Sequence, residues 1–288
     1  MCVFPRTVLC SENKTHRITH HLPHNRPYPK KKGPTMIQAH LLKLPPQNSI
    51  EKVNELLSLL NPNDDVALRA RERLRLAPPT EEEQAKAIRQ VVSWLTARTL
   101  LLTKVTEASA NQRVIKDRIL ARNELGKPLL EPYHCVGSVS HEDSLVGVVV
   151  LPDEEQSIGL DIAKVDPTLS AWYALALTSE EKKEAIQGVA VDLYYAYYWS
   201  LKEAVLKGLG VGLSSAVNLQ DICIEACAPA PSHEGSVLLP LRVVVQGKVR
   251  QWHGAAMIAR VGEETFVVSV VTDYVSSDGI GWCVETAA

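Results

Sequence analysis

The 288-residue chain has no uninterrupted apolar run near the roughly 20 residues a membrane-spanning helix needs. It also lacks an excess of either charge. Its 31 Lys and Arg stand against 33 Asp and Glu, a net charge of −2, so its overall field favours neither nucleic acid nor a bilayer surface. Six cysteines, Cys2, Cys10, Cys135, Cys223, Cys227 and Cys283, are scattered without redox or zinc-ribbon spacing. That pattern predicts free thiols in a reduced, intracellular chain rather than a disulfide scaffold. Nudix and P-loop signatures are absent, and no internal sequence repeat stands out. Any anion binding must come from a local cluster.

The composition is that of an ordinary globular protein, with 45% hydrophobic and 22% charged residues. The length accommodates one large domain or two smaller ones. Residues 1–35 differ from the rest: seven Lys and Arg face one acid, Glu12, among prolines and His16, His20, His21 and His24. They read as a disordered basic tail with solvated histidines rather than a metal site. A basic, acid-poor start also suits a mitochondrial presequence, but the prolines and the missing apolar face argue against one, so a cytoplasmic protein is expected.

From Met36 the pattern becomes regular. Residues 36–44 alternate as a strand, and 49–60 repeat apolar residues at helical spacing behind a Ser49 cap. Residues 64–75 are charged, with little core-forming material. Thr80 with Glu83 forms a capping box for a helix to about Lys104 that buries Trp94. A second helix is expected over 112–122, ending before Gly126-Lys127-Pro128. Strand signals cover 136–141, 144–152 and 157–165, the last two read as a hairpin across an acidic turn at Asp153 and Glu154. Thr178 to Glu181 caps a further helical region, and strands return at 237–245, 254–261 and 265–275. This order predicts an α+β fold of two similar halves, 36–152 and 153–288.

The stretch YAYYWSLKEAVLKGLGVGL, 195–213, places charges in an apolar helix. Trp199, Glu203 and Lys207 fall at i, i+4 and i+8 on one face, with Lys202 about 100° round. A solvated Glu203–Lys207 pair would contribute only a few tenths of a kcal/mol. A helix this apolar is usually buried, and buried charges need partners. Asp161 interrupts an otherwise apolar strand, where an exposed face is the default. Asp161 with Glu203 would instead offer two oxygen ligands to magnesium, with lysines alongside to neutralise phosphate. Ser138, Ser140 and His141 end a strand, and Arg122 and Lys127 flank a compact basic loop.

These clusters, in this order, resemble the 4′-phosphopantetheinyl transferases. The residues that carry the likeness are Gly126-Lys127-Pro128, Ser140-His141, Gly159-Leu160-Asp161, and Trp199 with Lys202, Glu203 and Lys207; Leu177 to Glu181 and Gly210 to Leu213 extend it. It covers about 119–215 and is closest to the long, monomeric eukaryotic type, which includes an activator of aminoadipate reductase in lysine synthesis. The resemblance implies a pseudo-dimer of two α/β halves, each a small antiparallel sheet packed on a long helix, with the active site between them. It implies transfer of the phosphopantetheine arm of coenzyme A to a serine of an apo carrier, releasing adenosine 3′,5′-bisphosphate. The carriers would be acyl or peptidyl carrier proteins of fatty-acid, polyketide or peptide synthases, or of aminoadipate reductase. By matching position, Asp161 and Glu203 would hold Mg2+, with Glu203 as base. Lys202 and Lys207 would neutralise charge, and Arg122, Lys127, Ser138, Ser140 and His141 would hold coenzyme A. Arg69 and Arg98 are nominated in the amino-terminal half, where the family's arginine motif has no clear match. Two departures stand out: Ala163 replaces a frequent third metal-ligating Glu, and Ser138 replaces a frequent Asn. They keep open a non-catalytic coenzyme A or carrier-binding module, and the same charges could also serve a magnesium-dependent nucleotide pyrophosphate hydrolase.

Overall fold

The computed structural model describes residues 36–287 except 46–48, 78–79, 110–119, 125, 143, 153–155, 185–189, 212–216, 226–238, 246–247 and 274–278. The expected basic tail, 1–35, and most of the expected helix at 112–122 therefore lie outside the described residues. Leu120 to Arg122 are not helical; Arg122 forms an isolated bridge with Pro128.

The first half runs β1 (Ile37–Lys43), α1 (Ile50–Ser58), α2 (Asp65–Arg75), α3 (Glu81–Ala108), β2 (Val136–Glu142) and β3 (Leu145–Leu151). The second runs β4 (Ile158–Lys164), α4 (Pro167–Ala174), α5 (Ser179–Glu184), α6 (Val191–Leu209), β5 (Ile222–Glu225), β6 (Leu239–Val245), β7 (Lys248–Val261) and β8 (Glu264–Thr272). A last strand, β9 (Ile280–Thr286), returns to the first half. The strands form two sheets, ordered β2-β3-β1-β9 and β4-β8-β7-β6-β5. In both, the strand before the long helix lies antiparallel to the second strand of the hairpin that follows it: β1 to β3, and β4 to β8.

Three expectations need correction. The hairpin is β2–β3, not 144–152 with 157–165: β3 pairs with β2 and β1, whereas β4 pairs with β8 in the other sheet. Strand periodicity identifies strands but not their partners. The first sheet is mixed rather than antiparallel, because β9 runs parallel to β1. Residues 65–75 form a helix with a core: Val66, Ala67 and Ala70 pack with Val53, Leu56, Val91, Val92 and Leu95. Four arginines and two acids mask that apolar stripe. Asp64 caps the helix by accepting from Val66 N at 3.0 Å.

Side-chain parity on the strands builds the layers. Ile158, Leu160 and Ile162 of β4 share an apolar layer with β1, β3, β7 and β8, which lies between the two sheets. Gly159, Asp161 and Ala163 alternate to the opposite face, where Ala163 packs in the core beneath α6. The other face of the first sheet receives α3 through Leu101, Val105 and Val148. The result is helices, sheet, sheet, helix. Asp161 thus sits on the face of β4 that α6 covers.

Candidate active site

Helix α6 lies unusually close to β4 because Gly159 has no side chain. A Cβ there would stand 1.8 Å from the Ala204 carbonyl oxygen, so only glycine permits this crossing. Glu203 and Lys207 immediately precede the two α6 residues at that contact, Ala204 and Gly208, while Asp161 is two residues along the strand. The Lys207 ammonium donates to Asp161 Oδ1 at 2.7 Å and to Ser140 Oγ at 2.8 Å. Ser140 in turn donates to Asp161 Oδ1 at 3.0 Å. Asp161 and Glu203, distant in sequence, line one cavity of about 530 Å³ with Arg69, Arg98, Arg122, Lys127, Ser138, Ser140, His141, Trp199 and Lys207.

The two carboxylates are buried yet incompletely satisfied. Asp161 Oδ2 and Glu203 Oε1 have no hydrogen-bond partner among the described residues. Burial raises the Asp161 carboxyl above its ordinary range, opposed by Lys207. Burial, then the charge of Asp161, raises Glu203 to about 7. Unpaired buried carboxylate oxygens are costly unless a cation or proton meets them. Hard oxygen donors of this kind suit Mg2+, which takes one or two carboxylates and completes its shell with phosphate and water. The fit is to two protein ligands: among the described residues no group of three His, Cys, Asp or Glu converges as a metal site, and Ala163 is buried beneath α6.

The basic loop docks on the end of α6, whose cap is Gly210 at φ 76°. Lys127 Nζ donates to Gly208 O at 3.1 Å, and Asn123 Nδ2 to Gly210 O at 3.2 Å. These groups satisfy terminal carbonyls of the helix, and Lys127 reaches the cleft from that position. Arg122 Nε lies 2.9 Å from Asp65 Oδ2, and burial pulls its guanidinium pKa down. His141 is exposed on the cleft, and its imidazole is lowered to about 4 by crowding, with Lys207 and Arg122 acting in the same direction. Both cations disfavour the imidazolium, and the ring is neutral at pH 7.

Two expected ligand contacts take other roles. Lys202 is not in the cleft. It is 0% exposed and ion-paired to Glu181 at 2.6 Å, and it donates to Ala176 O at 2.8 Å and Leu219 O at 3.2 Å. The 100° that separates it from Glu203 turns it into the protein, and the apolar surroundings on every side of α6 concealed which side was which. Ser138 is occupied as a stitch between β2 and β4: its hydroxyl accepts from Leu160 N at 2.9 Å and donates to Leu160 O at 3.4 Å.

Sequence reasoning nominated Arg98 and Arg69 but not what holds them, and it missed the place of Trp94. Arg98, 2% exposed, is clamped by Asp64 at 2.6 Å and 2.9 Å and donates to Leu120 O at 2.6 Å. This pair fixes the segment leading to Arg122, and its two charges gave no sign of it because they lie 34 residues apart. Arg69 is exposed and lines the cavity. Trp94, expected in the core, is half-buried and faces the cleft; its spacing of four from Arg98 was the available signal.

Comparison with known proteins agrees with this geometry. The sequence model of the 4′-phosphopantetheinyl transferase superfamily matches residues 157–257. The L-aminoadipate-semialdehyde dehydrogenase-phosphopantetheinyl transferase of Xenopus laevis is 29% identical over 154 residues, which cover 47% of this chain and 49% of that protein. The chain thus spans about half the length of that relative. Helicobacter pylori holo-[acyl-carrier-protein] synthase, solved with coenzyme A, aligns over 40% of this chain and 96% of its own at 18% identity, with a TM-score of 0.28. The segment 157–257, which contributes Asp161, Glu203 and Lys207 to the cleft, belongs to the 4′-phosphopantetheinyl transferase superfamily.

Proposed function

We propose that this protein transfers the 4′-phosphopantetheine arm of coenzyme A to a serine of an apo carrier protein and releases adenosine 3′,5′-bisphosphate. The observation that carries the reading is the meeting of Asp161, Glu203 and Lys207 at one cavity walled by Arg122, Lys127 and His141. Attack at phosphorus within a pyrophosphate needs alignment and neutralisation of charge more than it needs a protein nucleophile. This site offers cations and carboxylates for that work.

Asp161 and Glu203 would hold Mg2+, whose chemistry here is to neutralise the pyrophosphate and fix its oxygens. Lys207 favours the ionised form of Asp161 and adds positive charge beside it. Arg122 and Lys127 approach the donor's phosphates from the loop, with Ser140 and His141 on the 3′-phosphate side. Glu203 accepts the proton of the carrier serine. The serine oxygen then bonds to the pantetheine-bearing phosphorus, and the bond from that phosphorus to the bridging oxygen breaks. The electron pair leaves with adenosine 3′,5′-bisphosphate.

The shared strand–helix–hairpin order of the two halves supports a pseudo-dimer with the donor site between them. We extend the reading to a magnesium-dependent, monomeric, cytoplasmic enzyme whose carriers are those of fatty-acid, polyketide or peptide synthases or of aminoadipate reductase. No helix among the described residues is long and apolar enough to cross a membrane. Ala163 favours one second reading, a module that binds coenzyme A or a carrier without turnover. The test is release of adenosine 3′,5′-bisphosphate from coenzyme A and magnesium. Release that requires an apo carrier supports the transferase, release without a carrier marks a hydrolase, and binding without release marks the module.

A further inference from the structure

We propose that the cavity-facing side of α3, formed by Trp94, Ala97, Arg98 and Leu101, is the purine-binding end of the cleft, with the Trp94 indole as a stacking platform for the donor's base. This rests on the reading of the cleft as a coenzyme A site and assigns a residue to its specificity.

The four residues fall at i, i+3, i+4 and i+7, which places them on one helical face, and all four line the cavity together with Val66 of α2. They form a different wall from that of Asp161 and Glu203, which come from β4 and α6. Apart from Arg98 that wall is apolar, where the other carries two carboxylates. Trp94 is half-buried: it packs against the core shared by α1, α2 and α3 and also lines the cavity. The cavity volume, about 530 Å³, is that of a small-molecule site, and such sites combine apolar walls with a few placed polar groups.

The polar groups beside the indole are cationic. Arg98 is buried, yet its Nη1 has no hydrogen-bond partner among the described residues, and a buried guanidinium N–H left unpaired is costly. Its other nitrogens are held by Asp64 and Leu120 O, so the group is fixed in place. Arg69 and Arg122 line the same cavity. A flat group with a π face and attached phosphate complements an indole bordered by guanidinium groups: the chemistry of a nucleoside phosphate. Base–aromatic stacking of this kind is worth about five- to a hundredfold in affinity.

Calorimetric titration of the full chain with coenzyme A, adenosine 3′,5′-bisphosphate and 4′-phosphopantetheine tests the assignment. Trp94→Ala should weaken the first two ligands by about tenfold or more, leave 4′-phosphopantetheine unchanged, and be largely rescued in Trp94→Phe. Trp94→Leu keeps apolar bulk without a π face and serves if the alanine variant does not fold. Undiminished affinity for adenosine 3′,5′-bisphosphate in the alanine or leucine variant overturns the platform. So does an equal loss for 4′-phosphopantetheine, because Trp94 would then only hold the cleft open. Wild-type protein that binds none of the three ligands overturns the coenzyme A reading itself, and the purine subsite with it.

Discussion

Lys207 Nζ lies 2.7 Å from Asp161 Oδ1, an ion pair that ties α6 to β4 on the cavity wall. Ser140 braces it from β2. On the proposed reading the cation has two tasks, favouring the ionised form of a buried carboxylate and facing the donor's phosphates. Lys207→Met removes both. We expect transfer to fall by about a hundredfold or more, and Mg2+ to bind more weakly although Lys207 is not a ligand. Unchanged Mg2+ affinity, read by competition with Mn2+ in electron paramagnetic resonance, would separate the two tasks and remove the first.

Glu203→Gln should lower transfer by about 10² to 10⁴, the range of a general base, while coenzyme A still binds. The same residue predicts a pH dependence in metal-free protein. Its carboxyl titrates near 7 when folded, against an ordinary 4.5. Between those values the folded chain keeps a proton that the unfolded chain has released. The stabilisation is complete below about 4.5 and is lost as pH rises through 7. At about 1.4 kcal/mol per pH unit, the loss over those roughly 2.5 units is about 3–4 kcal/mol at most. Thermal melts in chelator at pH 5 and 8 should show a smaller drop for Glu203→Gln than for wild type; parallel drops would assign the pH dependence elsewhere.

Lys202 is a brace rather than a phosphate ligand. Its partner Glu181 also accepts from Thr178 N at 2.8 Å and Ile224 N at 3.2 Å, so one ion pair joins α6, the start of α5 and β5. Lys202→Gln should cost about 3–5 kcal/mol of stability, the usual result of leaving one buried charge unpaired. Coenzyme A affinity of the folded fraction should stay within about twofold. A selective loss of coenzyme A affinity at unchanged stability would return Lys202 to the cleft.

Gly159→Ala places a methyl group against the backbone of Ala204. Backbone cannot yield as a flexible side chain does, so α6 must lift from β4, with a destabilisation of about 3 kcal/mol or more. Denaturant titration measures it. Near-wild-type stability would mean that the helix can shift without loss and that Asp161 and Glu203 are held by something other than this crossing.

The sequence made some parts of this site legible and concealed others for physical reasons. Trp199, Glu203 and Lys207 share a face through helical geometry alone, and the structure places all three on the cavity. Asp161 drew notice as a charge inside an apolar strand, but only its parity against α6 explains why it is buried. The reciprocal Thr178–Glu181 capping box was readable in four residues; the second use of Glu181 as partner to Lys202 was not, because that contact spans two elements. The Asp64–Arg98 clamp and the return of β9 beside β1 are likewise long-range pairings that local periodicity does not encode. Ser138 has the hydroxyl expected of a phosphate contact, yet the neighbouring strand uses it.

The most direct test of the central claim is the intact mass of an apo carrier protein after incubation with this protein, coenzyme A and magnesium. We predict that the carrier gains the mass of one phosphopantetheine arm, that a carrier whose target serine is replaced by alanine gains none, and that Asp161→Asn and Glu203→Gln proteins leave the carrier unmodified. Unmodified carriers of every class with the wild-type protein, or full modification by either variant, would contradict the account.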